Sequence, residues 1–450
     1  MIRFGKAFIF VLFASTFVIG TSRAATHAAA SCNISDVQAA VNAAASGDTV
    51  TIPACSQTNW SSTLTINVGI TLQGAGQSNT IIGDNVNKGG SSCSGGGPLV
   101  AWNVTSPNSM RMTGMTIVGV ATDPGVCQRG HVTVNGSTHS MRIDHLTINP
   151  AQTVSIYIDG DIWGVIDHLT HVGQFVNGVR VEHRNWNGFS SWNDSWGDAS
   201  WNTAINYGSG EGLYIEDSSF TSTDPNFIGG ATDCFSGGRL VFRHNTISMY
   251  NNQSHGADSD QRHRACRWQE IYNNTYTYSN ISNLAFISWI RGGTGVFYNN
   301  TVTASGYSNK IVQVVNCRDA SAGCGGGPNY TPWGACDGSS SYDQNSGGGY
   351  RCVDQPGAGT SKLLGPDPSG TVTPANIWVG NVLDPIYVWN NTLNGSANNT
   401  VGGSTNVTAS RDYYTGLARP GYTAYTYPHP LQGTGTTSVS APSNLQATVQ

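Results

Sequence analysis

An eight-residue phrase recurs along this chain and constrains its fold more than any other feature. It reads MRMTGMTI at 110–117, MRIDHLTI at 141–148, GVIDHLTH at 164–171, LYIEDSSF at 213–220, LVFRHNTI at 240–247, QEIYNNTY at 269–276, GVFYNNTV at 295–302 and IYVWNNTL at 386–393. Each copy alternates apolar and free positions, meets Asp, His or Asn, and then steps toward Thr or Ser. Period-two alternation marks a strand with one buried face. One such strand cannot bury its own apolar side, so recurrence at about 23–31 residues implies one strand per coil of a stacked solenoid. The wider gaps, 164 to 213 and 302 to 386, leave room for extra coils or long loops.

Stacking decides which side chains become neighbours, because adjacent strands lie about 4.8 Å apart and side chains alternate between faces. Met112, Ile143, Ile166, Ile215, Phe242, Ile271, Phe297 and Val388 are expected to point inward. The next residues then form an outward column: Thr113, Asp144, Asp167, Glu216, Arg243, Tyr272, Tyr298 and Trp389. A one-residue slip would exchange the two sets. The turn position repeats as His145, His168, Asp217, His244, Asn273, Asn299 and Asn390. Stacked asparagines there are expected to satisfy one another in an amide ladder.

Residues 1–24 read as a secretory signal, with Arg3 and Lys6 ahead of an apolar run and Ser22-Arg23-Ala24 as a cleavage site. That run is too short for a membrane span, and nothing later qualifies. All ten cysteines lie beyond it, and an even number in an exported chain points to disulfides. The expected pairs are Cys32–Cys55, Cys93–Cys127 and Cys234–Cys266, with the last four cysteines tying together the Gly-rich insertion 317–352. No Cys-x-x-Cys spacing suggests a metal. Only 10% of residues are charged, far below the usual ~25%, so the surface must be Ser, Thr, Asn and Gly. No basic stripe suggests nucleic acid.

Ser35-Asp36-Val37-Gln38 reads as a capping box and Gly47 as a helix stop, giving a short helix that would plug the open end of the solenoid. Strands are expected at Thr49–Ile52 and Leu64–Leu72. The Pro-rich, aromatic stretch 418–431 reads as a tail lying along the solenoid. The expected division is a signal over 1–24, one β domain over 31–432, and, over 433–450, a linker with the start of a fibronectin type III-like module.

The densest group of functional side chains is the loop 254–267, with His255, Asp258, Asp260, Arg262, His263, Arg264 and Arg267 in fourteen residues. A polar loop pinned by Cys266 would be the plain structural explanation. Trp192, Trp196 and Trp201 share a second loop with Asp194 and Asp198, where indole rings could stack on sugars or fill the loop's own core.

The layout of signal, helix, coils and Asn ladder resembles the pectate lyase superfamily. MRIDH and GVIDH at 141–145 and 164–168 resemble that superfamily's Trp-x-Asp-His strand, and RHRACRWQEIYNNTY at 262–276 is similar to its Arg-x-Pro-Arg-x-Arg segment and following strand. The resemblance implies an all-β, right-handed parallel β-helix (solenoid) with a short N-terminal capping helix. It implies Arg264 or Arg262 as the base of a β-elimination, with acidic residues on the same sheet holding Ca2+. Here the proline is missing and the arginines sit one residue off the family spacing. On chemical grounds a calcium ion would neutralise the substrate carboxylate, and Asp144, Asp167 and Glu216 could hold it. Arg243 and Arg267 could pair with substrate carboxylates, Tyr272 and Trp196 could contact the sugar, and His255 could act as acid or second base. The resulting expectation is a secreted, monomeric polysaccharide lyase acting on an acidic, uronate-containing polymer. A glycoside hydrolase would need convergent carboxylates, often an Asp-Asp pair, which is absent from the sequence. A non-catalytic glycan-binding or adhesin solenoid is the other alternative, since this fold serves many functions.

Overall fold

The computed structural model describes residues 24–90, 94–105, 109–121, 130–173, 177–186, 197–223, 229–256, 264–279, 286–305, 310–318, 336, 352, 355–359, 382–403 and 406–435. The chain is almost entirely β. Its strands form one long hydrogen-bonded array, and every pairing between named strands is parallel except the hairpin of Thr392–Leu393 with Ser396–Ala397.

The registers sort the strands into three columns that the chain visits in a fixed order. A leading column includes Leu64–Ile66, Val100–Val104, Val179–Glu182, Gly229–Phe235 and Tyr250–Ser254. A middle column includes Leu213–Glu216, Arg239–Arg243, Trp268–Tyr272 and Thr294–Tyr298. A trailing column includes Ser219–Ser222, Thr246–Ser248 and Thr275–Tyr278. The long strand Val132–Ala151 serves all three in turn, and Ile156–Asp167 serves the leading and middle columns. Glycines mark the corner between those two columns. Gly160 has φ +118°, and a Cβ there would lie 2.2 Å from the Gly136 carbonyl of the strand below. Only glycine fits so close an approach.

The repeat phrase is the middle column with its turn. All eight expected inward residues are fully buried in the main apolar core. Full burial of each such side chain contributes about 1.5–3 kcal/mol. A one-residue slip would replace them with three carboxylates and a guanidinium, whose burial without partners is far costlier, so the register is fixed. The turn residues His145, His168, Asp217, His244, Asn273, Asn299 and Asn390 all take the left-handed conformation, with φ between 49° and 56°, which Asn, Asp and His tolerate better than most residues. The amide ladder is displaced by one residue from its expected place. Asn245, Asn274, Asn300 and Asn391 are the stacked, buried set, with Nδ2 donating to the next Oδ1 at 3.1, 3.0 and 2.9 Å. The left-handed residue makes the corner, and its successor points inward.

The helix runs over Ile34–Ala43 with Asn33 as N-cap, so it begins before the Ser35 box and ends before Gly47. Asn33 makes no side-chain capping bond; Ser31 instead holds Asp36 and the Asn33 amide. Gln38 donates to the Thr65 carbonyl at 2.9 Å and accepts from its amide at 3.0 Å. The helix thereby satisfies the free edge of the first leading strand. A strand Thr26–Ala28 precedes the helix and pairs with Thr49–Thr51, which is the expected Thr49–Ile52 strand, and the expected Leu64–Leu72 strand is two strands, Leu64–Ile66 and Thr71–Gln73, in different columns. Disulfides join Cys32–Cys55, Cys234–Cys266 and Cys336–Cys352. Cys93, Cys127 and Cys324 lie outside the described residues, as do residues 1–23 of the expected signal (1–24) and residues 436–450 of the expected linker and fibronectin-like start (433–450). Among the described residues, no helix is long and apolar enough to cross a membrane.

Candidate functional site

The expected outward column is in register: Thr113, Asp144, Asp167, Glu216, Arg243, Tyr272, Tyr298 and Trp389 face one another on successive middle strands. It is not an open ledge. Asp144, Asp167, Glu216 and Arg243 are fully buried. The tail 417–432 and the loop around Ile205 and Tyr207 cover this face, building a second apolar core of Val165, Tyr214, Val241, Trp268 and neighbours.

Each carboxylate in the column already has a guanidinium. Asp144 takes Arg111 at 2.7 and 2.8 Å, Asp167 takes Arg142 at 3.0 Å twice, and Glu216 takes Arg243 at 2.5 Å. The tail completes the shell. The His429 amide and Gln432 Nε2 both donate to Glu216 Oε1 at 2.6 Å. Burial pushes the Glu216 carboxyl above its usual value against the pull of Arg243. A calcium ion needs six to eight oxygen ligands, and here it would have to displace three guanidiniums, the His429 amide and the Gln432 side chain. Asp144, Asp167 and Glu216 therefore do not fit calcium. The expectation failed because alternation reveals which way a side chain points but not what lies over it.

The expected substrate-binding residues of this face hold the tail instead. Arg243 donates to the Tyr425 and Thr426 carbonyls at 2.8 Å each and to the Tyr272 hydroxyl at 2.9 Å. Tyr272 stacks on Tyr298. Arg264, the expected base, is fully buried. It pairs with Asp198 at 2.9 Å and lies over Trp201. Arg267 is also buried beside Trp201; burial, with Arg264 nearby, pulls its pKa down to about 10. These two arginines secure the short helix Asp198–Asn202, where Trp201 Nε1 donates to the Ala265 carbonyl at 2.9 Å. Arg262 and Trp196 lie outside the described residues.

His255 falls elsewhere, on the outer face of the leading column, among residues the sequence reading did not single out. Tyr157, Arg180 and Asp233 are register partners on three successive strands, and Asp159 lies opposite Glu182. His255 Nδ1 meets Asp233 Oδ1 at 2.6 Å, with the His255 side chain 23% exposed. The Cys234–Cys266 disulfide clamps the chain immediately after Asp233. Tyr157 donates its hydroxyl to Glu182 Oε1 at 2.8 Å, and Arg180 Nε donates to the same oxygen at 2.9 Å. Arg184 Nε donates to Asp159 Oδ1 at 2.7 Å. Asn177 Nδ2 donates to Asp233 Oδ2 at 3.1 Å. Half-buried Tyr157, Asp159, Arg180, Arg184 and His255 thus form a ledge backed by buried Glu182 and Asp233.

The ledge drives its carboxyls apart. Burial raises Asp159, with the Arg184 hydrogen bond opposing. Burial would raise Asp233 too, but the His255 charge and hydrogen bond, with Arg180 nearby, carry it below the usual range. Burial and the Glu182 charge raise the Tyr157 phenol, keeping it protonated. A polar ledge holding a histidine oriented by a carboxylate, a protonated phenol and two cations can move a proton from one substrate atom to another. Two short alternations carry this ledge, IYID at 156–159 and VRVE at 179–182. They end in no repeated turn phrase, which is why the middle column drew attention away from them.

No protein-family model matches the chain, and no curated protein matches it. A solved structure described as Geobacillus virus E2 - ORF18 is similar over 62% of this chain and 55% of that chain, at 15% identity and a TM-score of 0.33, too slight a likeness to support an argument.

Proposed function

We propose that this protein is an exported polysaccharide lyase that cleaves a uronate-containing polymer by β-elimination on the leading-column ledge. The finer architecture we propose is a right-handed parallel β-helix, the hand that parallel crossovers favour overwhelmingly. The observation that carries the reading is the Asp233–His255 pair beside Tyr157 and Arg180. Asp233 accepts from Nδ1–H, which leaves Nε2 as the basic nitrogen. His255 removes the proton on the carbon next to the uronate carboxylate. The released electron pair forms the C4–C5 double bond and expels the glycosidic oxygen, which takes a proton from Tyr157. Arg180 and Arg184 supply the positive charge that makes that carbon acidic, the role calcium would otherwise fill. Stabilising the developing charge in this way is the main electrostatic contribution expected of such a site.

A glycoside hydrolase is the second reading. It is favoured by Asp159 and Asp233, whose acidities shift in opposite directions as an acid and base pair require. One experiment separates them: full-length protein incubated with uronate and neutral polysaccharides, with chelator present. The lyase reading expects the ultraviolet absorbance of unsaturated uronate ends, lost in His255→Asn. New reducing ends without that absorbance would establish hydrolysis, and neither signal would leave a binding solenoid. Loss of turnover on chelation alone would overturn the assignment of charge neutralisation to Arg180 and Arg184.

A further inference from the structure

The two Asp-His copies of the repeat phrase build something that the later copies do not. His145 and His168 occupy the left-handed corner of consecutive coils, with φ 49° and 52°. Their rings stack in parallel, 4.6 Å between centroids and 5° between planes. The Nδ1 of each meets the carboxylate of the residue before it at 2.9 Å, Asp144 for His145 and Asp167 for His168. Those carboxylates are buried and held by Arg111 and Arg142, whereas the imidazoles are 49% and 46% exposed. One donor atom from each of His145, Asp167 and His168 lies within 4.8 Å of the others.

We propose that His145 and His168 bind a divalent transition-metal ion of the class that imidazole favours, zinc foremost. A carboxylate on Nδ1–H fixes the tautomer that leaves an electron pair on Nε2. This is the arrangement that supports histidine ligands in metal sites. Asp144 and Asp167, already committed to arginines, act as those outer partners rather than as ligands. Tetrahedral zinc with bonds of about 2.0–2.1 Å places two ring nitrogens about 3.4 Å apart. The rings must therefore tilt out of their parallel stack, so that both Nε2 electron pairs aim at one ion, as well as approach each other; both movements are open to side chains exposed by 49% and 46%. His244, at the same corner three coils along, is built differently. Arg243 precedes it and its ring stacks on Tyr427 at 3.7 Å, so it has neither the carboxylate nor the open nitrogen. Two protein ligands leave the remaining positions to water, so the ion exchanges with solvent and can take a ligand from outside.

The test uses untagged full-length protein stripped with chelator and titrated calorimetrically with zinc chloride alone. The expected result is one equivalent bound per chain, with affinity at least tenfold weaker in the double variant His145→Asn, His168→Asn. Asparagine is the right replacement because Asn273, Asn299 and Asn390 occupy the same corner with the same φ, so the coil persists. Its persistence is checked by an unchanged metal-free melting temperature. Zinc should raise the melting temperature of the native chain and not that of the variant, as binding to the folded state alone requires. No heat of binding in the native chain, or equal binding in the variant, would overturn the site. Polysaccharide cleavage by the variant in chelator should be normal, so this site and the leading-column ledge stand or fall separately.

Discussion

The middle and leading columns start from the same materials and come to opposite ends. Each presents three acids on successive coils with basic partners: Asp144, Asp167 and Glu216 with Arg111, Arg142 and Arg243 on one, Asp159, Glu182 and Asp233 with Arg184, Arg180 and His255 on the other. The tail roofs the middle face over Glu216 and Arg243, beside a second apolar core, while Arg111 at its edge keeps 27% of its side chain exposed. The leading face keeps Tyr157, Arg180, Arg184 and His255 half-exposed. Ion pairs sealed from water are costly to form and costly to break. Those of the middle face fix where the tail docks, since Arg142 and Arg243 are spent on carbonyls of residues 425, 426, 431 and 432. The comparison teaches that an outward acidic column is a site only where nothing has been folded onto it.

The largest effect should come from the open face. His255→Ala is expected to lower turnover by about 10²–10⁴-fold, the usual contribution of a positioned general base, with an unchanged unfolding midpoint in urea. An active His255→Ala enzyme would remove the ledge's claim. The roofed face should answer in stability instead. Arg243→Ala strands Glu216 as an unpaired buried charge, and Arg264→Ala does the same to Asp198, so each should cost about 3–5 kcal/mol. Turnover per folded molecule should be retained. Full stability with lost activity in Arg264→Ala would restore that arginine as the base and collapse the distinction between the faces.

How much of this was legible in the sequence follows the same division. Alternation gave the inward set from Met112 to Val388 and the outward register without error, because a single slip would turn those charges away from their partners into the apolar core. The expected pairs Cys32–Cys55 and Cys234–Cys266 are both present. The turn phrase gave the turn positions but misplaced the amide ladder, since a corner residue and its successor differ only in where a backbone with positive φ aims them. The roof was not legible as a roof. The tail was read as lying along the solenoid, but nothing in 418–431 says which column it covers, because that contact joins residues about 180–290 positions apart. The ledge was missed for a related reason: Asp233 and His255 are neighbours only through the coil repeat, and neither carries a motif.

The ladder sharpens the comparison from the side of the turn. Asn300 Nδ2 donates to the Ile271 carbonyl and to Asn391 Oδ1, and its own Oδ1 accepts from Asn274. Asn300→Ala would leave buried partners unsatisfied, costing about 1–3 kcal/mol in urea unfolding. A neutral result would mean that backbone pairing alone holds the corner.

The smallest effect is a slope, and it tests whether the roof is as dry as the geometry implies. Glu270 lies beneath the tail, accepting from the Tyr422 hydroxyl at 2.5 Å and the Gly208 amide at 2.9 Å, and burial pushes its pKa up to about 7. Unfolding returns it to the ordinary carboxyl range near 4.5. Between those values the folded chain holds a proton that the unfolded chain has released, so stability must fall as pH rises through this window. Glu270→Gln keeps an oxygen for the tyrosine and amide and cannot ionise, so the melting temperature of that variant should lose this part of the decline from about pH 4.5 to 7. Asp159 on the ledge is raised as well, chiefly by burial, and should contribute a slope of the same sign. Equal slopes for native and Glu270→Gln protein would mean that water reaches Glu270, and a tail that admits water there would not separate the middle face from the leading one.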